Sequence, residues 1–178
     1  MPSKRLDHFG MINRERVVSF TWEHKKYFGY KGDSLASALL ANDIKVVGRS
    51  FKYHRPRGIM SCGVEESGAL VTVGQGNRRD PNVRATTQEL YEGLVASGQN
   101  AFPSVYYDFG AVTGLLGRFF AAGFYYKTFM GIPPFEWGSG TKIWMLYEKL
   151  IRRAAGMGVA SLLQDPDKYE HANDFCDV

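Results

Sequence analysis

Arg16-Val-Val-Ser-Phe-Thr-Trp22, Glu23-His-Lys25, Lys26-Tyr-Phe-Gly-Tyr30, Gly32-Asp-Ser-Leu-Ala-Ser-Ala-Leu-Leu-Ala-Asn42 and Ile44-Lys-Val-Val47 follow one another almost without a gap. The first segment alternates apolar and polar residues and predicts a strand; the second reads as a turn and the third as the returning strand of a hairpin. Asp33 or Ser34 can cap a helix, Leu35, Leu39 and Leu40 recur at helical spacing, and Asn42 is a stop. Residues 44–47 read as a short strand. Hairpin, helix, strand is the opening of a β-grasp domain, an α+β fold in which a mixed sheet packs on one helix.

Outward from this run, Arg49 to Gly63 contains Pro56 and Gly58 and reads as loop. Ala69–Val73 is a predicted strand, Gly74 to Asn82 a polar turn region, and Val83–Thr87 the predicted last core strand. Glu89–Ala96 fits helix or strand equally by pattern. A chain of 178 residues suggests one domain with an appendage. The expected division is a polar lead over 1–14, the β-grasp domain over 15–99, and an aromatic-rich, partly helical extension over 100–178. In that extension Val105–Asp108 reads as an edge strand and Ala111–Phe120 as a short helix weakened by glycines. Thr141–Ala155 reads as a helix whose apolar face is Ile143, Leu146, Tyr147, Leu150, Ile151 and Ala154. Phe102, Tyr106, Tyr107, Phe109 and the aromatics up to Trp137 are too many for so irregular a stretch to bury alone. They suggest a surface that packs on another domain or subunit.

Composition excludes several function classes. The 44% hydrophobic and 14% aromatic content argues against intrinsic disorder. Two cysteines, Cys62 and Cys176, rule out a disulfide framework and a four-thiolate metal or iron–sulfur site within one chain. The polar start carries no secretory signal, and two thiols then fit a cytoplasmic protein. Phe109–Tyr126 is glycine-rich and interrupted by Arg118, so no membrane span is expected. The net charge of +4 is local: Lys45, Arg49, Lys52, Arg55 and Arg57 lie in one acid-free stretch and turn a chain otherwise at −1 positive. That pattern does not indicate a nucleic-acid partner.

Five stretches carry a resemblance over the whole length: residues 32–42, Val47-Gly-Arg-Ser-Phe-Lys-Tyr-His-Arg-Pro-Arg-Gly58, Asn82-Val-Arg-Ala-Thr86, residues 89–96, and Ala122-Gly-Phe-Tyr-Tyr-Lys-Thr-Phe-Met130. They resemble the N-terminal region of the alpha subunit of heterotetrameric sarcosine oxidase; related amine and opine dehydrogenase subunits share parts of them. In relatives that hold a [2Fe–2S] cluster, the resemblance puts the ligand positions at Ser61, Glu66, Ala69 and Thr86. None is Cys, and Cys62 falls beside one of them, so the resemblance implies a ferredoxin-like domain without its cluster. It also implies a glycine-rich dinucleotide-binding unit beyond Val178, FAD and FMN against another subunit, NAD in the rest of the alpha subunit, and folate in the full complex. Gly138-Ser-Gly140 lacks the third glycine of a dinucleotide loop and reads as loop. The expectation is a fragment or split product, inactive alone, whose partners are the rest of the alpha subunit and the other subunits.

The basic loop has two readings. Arg49, Lys52, His54, Arg55 and Arg57 form an anion- or partner-binding edge, or they form a solvated loop with internal ion pairs. His54 shows no ligand spacing with His8, His24 or His171, and Ser61 near His54 lacks a glycine elbow and a third orienting residue. A stand-alone β-grasp interaction module, and the equivalent subunit of an amine or opine dehydrogenase, are the alternative functions.

Overall fold

The computed structural model describes residues 4–51, 53–115, 145, 148, 149 and 158–173. β1 (Asn13–Trp22) and β2 (Lys25–Lys31) form the predicted hairpin. Its loop is two residues long, because Lys25 already pairs with Trp22. Glu23 and His24 both have positive φ, 47° and 65°, as in the tight turn whose twist matches that of the flanking strands. In β1, Val18, Phe20 and Trp22 point into the core.

α1 (Leu35–Ala41) starts at Ser34, whose side chain accepts from Ser37 N at 3.2 Å, and ends at Asn42. Leu35, Ala36, Ala38 and Leu39 are buried while Leu40 faces outward, 45% exposed. Asp33 has another task. It is buried, accepts from Tyr30 N and Ser37 Oγ at 2.8 Å each, and takes both guanidinium ends of Arg5 at 2.7 and 2.5 Å. Lys4 N donates to Ala41 O, so the polar lead is tied onto the domain from residue 4.

Five strands make the main sheet in the order β2-β1-β7-β5-β6, with β5 at Leu70–Val73, β6 at Asp80–Arg84 and β7 at Leu94–Gly98. β1 and β7 run parallel and the other neighbours antiparallel. A central parallel pair beneath one helix is the β-grasp arrangement, and the α+β expectation holds. The core joins Phe20, Trp22, Leu35, Leu39, Val47, Val71, Leu94 and Val105. Burying each such side chain contributes roughly 1.5–3 kcal/mol.

Several elements differ from expectation. Ile44–Val47 is not a strand: Ile44 and Val47 are apolar because they are buried. The strand is β3 (Gly48–Arg49), which pairs with β4 (Pro56–Arg57) inside the stretch expected to be loop. Asp80–Asn82, expected as turn, begins β6, and Ala85–Thr87 is a turn closed by Thr87 N and Gln88 N donating to Arg84 O. Of the ambiguous 89–96 stretch, the part from Leu94 is strand, with Leu94 and Ala96 facing the core.

Val105–Asp108 forms no strand; Ser104 N donates to Tyr107 O and only an isolated bridge links Pro103 to Asp108. The 111–120 helix is a 3₁₀ turn over Phe109–Gly114 as far as Leu115, and the rest lies outside the described residues. The predicted helix at 141–155 lies outside them too, apart from Met145, Glu148 and Lys149, which are helical. No helix among the described residues is long and apolar enough to cross a membrane.

Candidate functional site

The loop between β4 and β5 closes around one carboxylate. Glu66 is 2% exposed. Its Oε2 accepts from Met60 N at 2.7 Å and Ser61 N at 2.8 Å; its Oε1 accepts from Gly68 N at 2.6 Å and Ala69 N at 3.1 Å. Ser61 Oγ adds a longer contact at 3.4 Å. Burial raises the carboxyl pKa, but the four N–H groups outweigh it and hold the group at about 2. A side chain at Gly68 would place its Cβ 2.8 Å from Gly58 O, so glycine is what allows the loop to close here. Thr86 Oγ1 donates to Gly63 O at 2.7 Å, and Ala85 N donates to Ala69 O at 3.0 Å. All four residues assigned by resemblance to cluster positions therefore meet on one loop and the turn that seals it.

These residues do not fit a [2Fe–2S] cluster. Iron–sulfur irons are held by thiolates. The four positions supply a hydroxyl, a carboxylate, a methyl group and another hydroxyl, and the chain contains only Cys62 and Cys176. Cys62 is exposed on the loop, and Cys176 lies outside the described residues, as does Gly138-Ser-Gly140. The backbone N–H groups that surround the centre are already taken by Glu66. Among the described residues no group of three or more His, Cys, Asp or Glu is placed to hold a metal ion.

The basic loop is organised by the extension. Arg49 donates from Nε to Val105 O at 2.9 Å and from Nη1 to His54 O at 3.0 Å. His54 sits at φ 50°, and its Nδ1 lies 2.6 Å from Asp108 Oδ2. Asp108 Oδ1 accepts from Phe102 N and Gly110 N, which ties the start of the extension to its 3₁₀ turn. A Cβ at Gly110 would collide with the His54 ring. Arg55 is exposed, 5.0 Å over the Tyr53 ring, and Arg57 is exposed on β4. Lys52 lies outside the described residues. Arg49 and Arg57 do share a surface cleft of about 370 Å³ with Phe51, Asn82 and Asn100. The structure thus brings Arg49 and His54 together, puts Arg57 near Arg49, and leaves Arg55 on its own aromatic neighbour. His8, His24 and His171 are exposed.

Residues 15–101 match the 2Fe-2S iron-sulfur cluster binding domain family. They form a ferredoxin-like domain. The whole chain is 54% identical over 179 residues to the sarcosine oxidase subunit alpha of Rhizobium meliloti (strain 1021), of which it covers 17%. It is 42% identical over 89 residues, 48% of the chain and 9% of the relative, to the sarcosine oxidase subunit alpha of Corynebacterium sp. (strain U-96). The chain is therefore homologous to a part of sarcosine oxidase alpha subunits, and spans less than a fifth of their length. Among solved structures, L-proline dehydrogenase from P. horikoshii aligns at 26% identity and a TM-score of 0.40, over 49% of this chain and 16% of that one.

Two residues of the ferredoxin-like domain and its extension escaped sequence reasoning. Glu66 is readable only as a position lacking Cys; no local signal separates it from its exposed neighbour Glu65. Asp108 falls in the expected edge strand, whereas an Asp two residues before a glycine is also a turn and cap signal.

Proposed function

We propose that this chain is the accessory, non-catalytic N-terminal domain of the alpha subunit of a heterotetrameric sarcosine oxidase, with its cluster position filled by protein. The observation that carries the reading is the 54% identity maintained along the entire chain; it is supported by the absence of Cys at Ser61, Glu66, Ala69 and Thr86, the positions that the resemblance assigns to cluster ligands. The assembled enzyme oxidises sarcosine with dioxygen and water to glycine, formaldehyde and hydrogen peroxide, or passes the one-carbon unit to folate. FAD and FMN serve that reaction against other subunits and NAD binds the remainder of the alpha subunit; this chain contributes packing.

The outer surface of the extension supports a packing role, because Phe102, Tyr107, Phe109 and Leu115 are all exposed by 71% or more. Apolar residues presented together in this way suit burial against another domain. A cytoplasmic location agrees with the sparse thiols.

The test is expression of the longer polypeptide with its companion subunits. Sarcosine-dependent peroxide formation is expected from the assembly and none from the 178-residue chain alone, with iron and acid-labile sulfide well below stoichiometry. Turnover by this chain alone, or one cluster per chain, overturns the reading.

A further inference from the structure

We propose that the loop over residues 60–69 is an oxyanion cradle whose resident ligand is the chain's own Glu66 carboxylate, so that removing this side chain opens a binding site for a small monocarboxylate. The proposal goes beyond the subunit assignment and stands on this loop alone, whatever substrate the assembled protein oxidises.

The chemistry of the lining selects an anion. The groups that converge on the centre are N–H donors: Met60 and Ser61 from the incoming arm, Gly68 and Ala69 from the outgoing arm. A metal cation needs electron-pair donors at that point, and the backbone presents protons instead. Each carboxylate oxygen takes two backbone donors, one arm per oxygen, with Ser61 Oγ adding a longer contact to Oε2, which is the bidentate geometry a planar carboxylate offers. The site is sealed from outside by Thr86 Oγ1 on Gly63 O and by Ala85 N on Ala69 O. Glu66 reaches it from the loop's own tip, where its backbone N donates to Gly63 O at 3.3 Å. The two arms are therefore joined through the carboxylate, which acts as the keystone of the segment. Left without an acceptor, the four N–H groups would be unsatisfied, and because they form two pairs aimed at two separate oxygen positions the emptied cradle favours a small carboxylate over a single-atom anion.

The experiment uses the 178-residue chain with Glu66→Ala, Glu66→Gln and, as a control on the exposed neighbour, Glu65→Ala. The thermal midpoint and the rate of proteolytic nicking within 60–69 are followed in sodium formate, sodium acetate and sodium chloride at matched ionic strength. Glu66→Ala is expected to lose several degrees and to be nicked faster. Formate should restore at least half of the loss in a saturable way, acetate less, and chloride little; wild type and Glu65→Ala should respond alike to all three salts. A Glu66→Ala chain as stable as wild type overturns the proposal, as does equal rescue by chloride and formate. If Glu66→Ala fails to fold in every salt, Glu66→Gln decides. It keeps the volume but turns an amide N–H₂ toward N–H donors, so a Gln chain matching wild type overturns the proposal and a destabilised one supports it.

Discussion

Two loops of this molecule are held shut in opposite ways. The 60–69 loop is closed from inside: one buried carboxylate is answered by four backbone N–H groups. The 49–57 loop is closed from outside, by the extension. Arg49 reaches Val105 O, His54 meets Asp108, and Asn100 Nδ2 donates to Arg49 O at 3.1 Å. The first depends on the Glu66 carboxylate and on main-chain shape, with the Ser61 and Thr86 hydroxyls adding single contacts. The second depends on four side chains contributed by segments some fifty residues apart.

The difference extends to where apolar surface lies. The sheet and α1 put it inside. The extension inserts Val105 into the core and turns its polar atoms toward the body, leaving Phe102, Tyr107 and Phe109 outward. Apolar side chains turned outward in this way are what the proposed packing role calls for.

The comparison is broken most severely at the core cluster that Trp22 shares with Ala69 of one loop and with Val105, which accepts from Arg49 of the other. Trp22 is fully buried at the end of β1, and its Nε1 donates to Tyr106 OH at 3.3 Å. Trp22→Ala is expected to cost about 3–5 kcal/mol and to lower the midpoint of the whole domain in denaturant. A loss under 1 kcal/mol would show that the extension, and not the sheet, sets stability.

Glu66→Gln comes next, with an expected loss of roughly 1.5–3 kcal/mol for hydrogen bonds to a charged group. Its pH dependence has a definite sign. The carboxyl titrates at 4.5 when unperturbed and at about 2 in the folded chain. The unfolded chain therefore takes up the proton first as pH falls. The stabilisation is fully present above pH 4.5 and is lost as pH drops toward 2. Acid titration of folding, wild type against Glu66→Gln, checks this: the two curves should converge below the lower value.

How much of this is legible in the sequence follows from range. The β1–β2 hairpin and α1 are readable because alternation, a short polar turn at Glu23–Lys25 and a cap at Asp33 or Ser34 are signals within a few residues of one another; the structure shortens the turn to two residues and gives the cap to Ser34. Ile44–Val47 misleads because an apolar run records burial, whether or not a ladder forms; Ile44 N donates back to Leu39 O in α1 and only Val47 N reaches β4, at Arg57 O. The Glu66 cradle was half legible. Sequence showed that thiols are missing at Ser61, Glu66, Ala69 and Thr86, but its ligands are main-chain N–H groups, which every residue except proline carries. The His54–Asp108 pair spans 54 positions and carries no local signature.

The clasp should be the weaker of the two closures. Asp108→Asn keeps the shape and removes the charge facing His54, so the expected cost is about 1 kcal/mol, confined to the extension. Hydrogen exchange should rise at Phe102 and Gly110, whose N–H groups Asp108 accepts, while Val71 and Leu94 in the sheet stay protected. Faster exchange in the sheet as well would show that clasp and core unfold as one unit.

The smallest effect is expected at Arg55. Its guanidinium lies over the Tyr53 ring in an exposed position, where a cation–π contact contributes about 0.5–1 kcal/mol at most. Arg55→Ala should therefore leave the folding midpoint within about 0.5 kcal/mol of wild type. That near-silence separates the basic residues by what they do. Arg49 is committed to the clasp, and Arg49→Ala should loosen the extension even in the isolated chain. Arg55 and Arg57 stay exposed, so their charge is available to a neighbouring acidic surface. If they serve docking, replacing both should leave stability unchanged and slow association with the companion subunits, with the deficit shrinking as salt is added. Unchanged association at low salt would make them solvated charges and leave the aromatic face of the extension as the docking element.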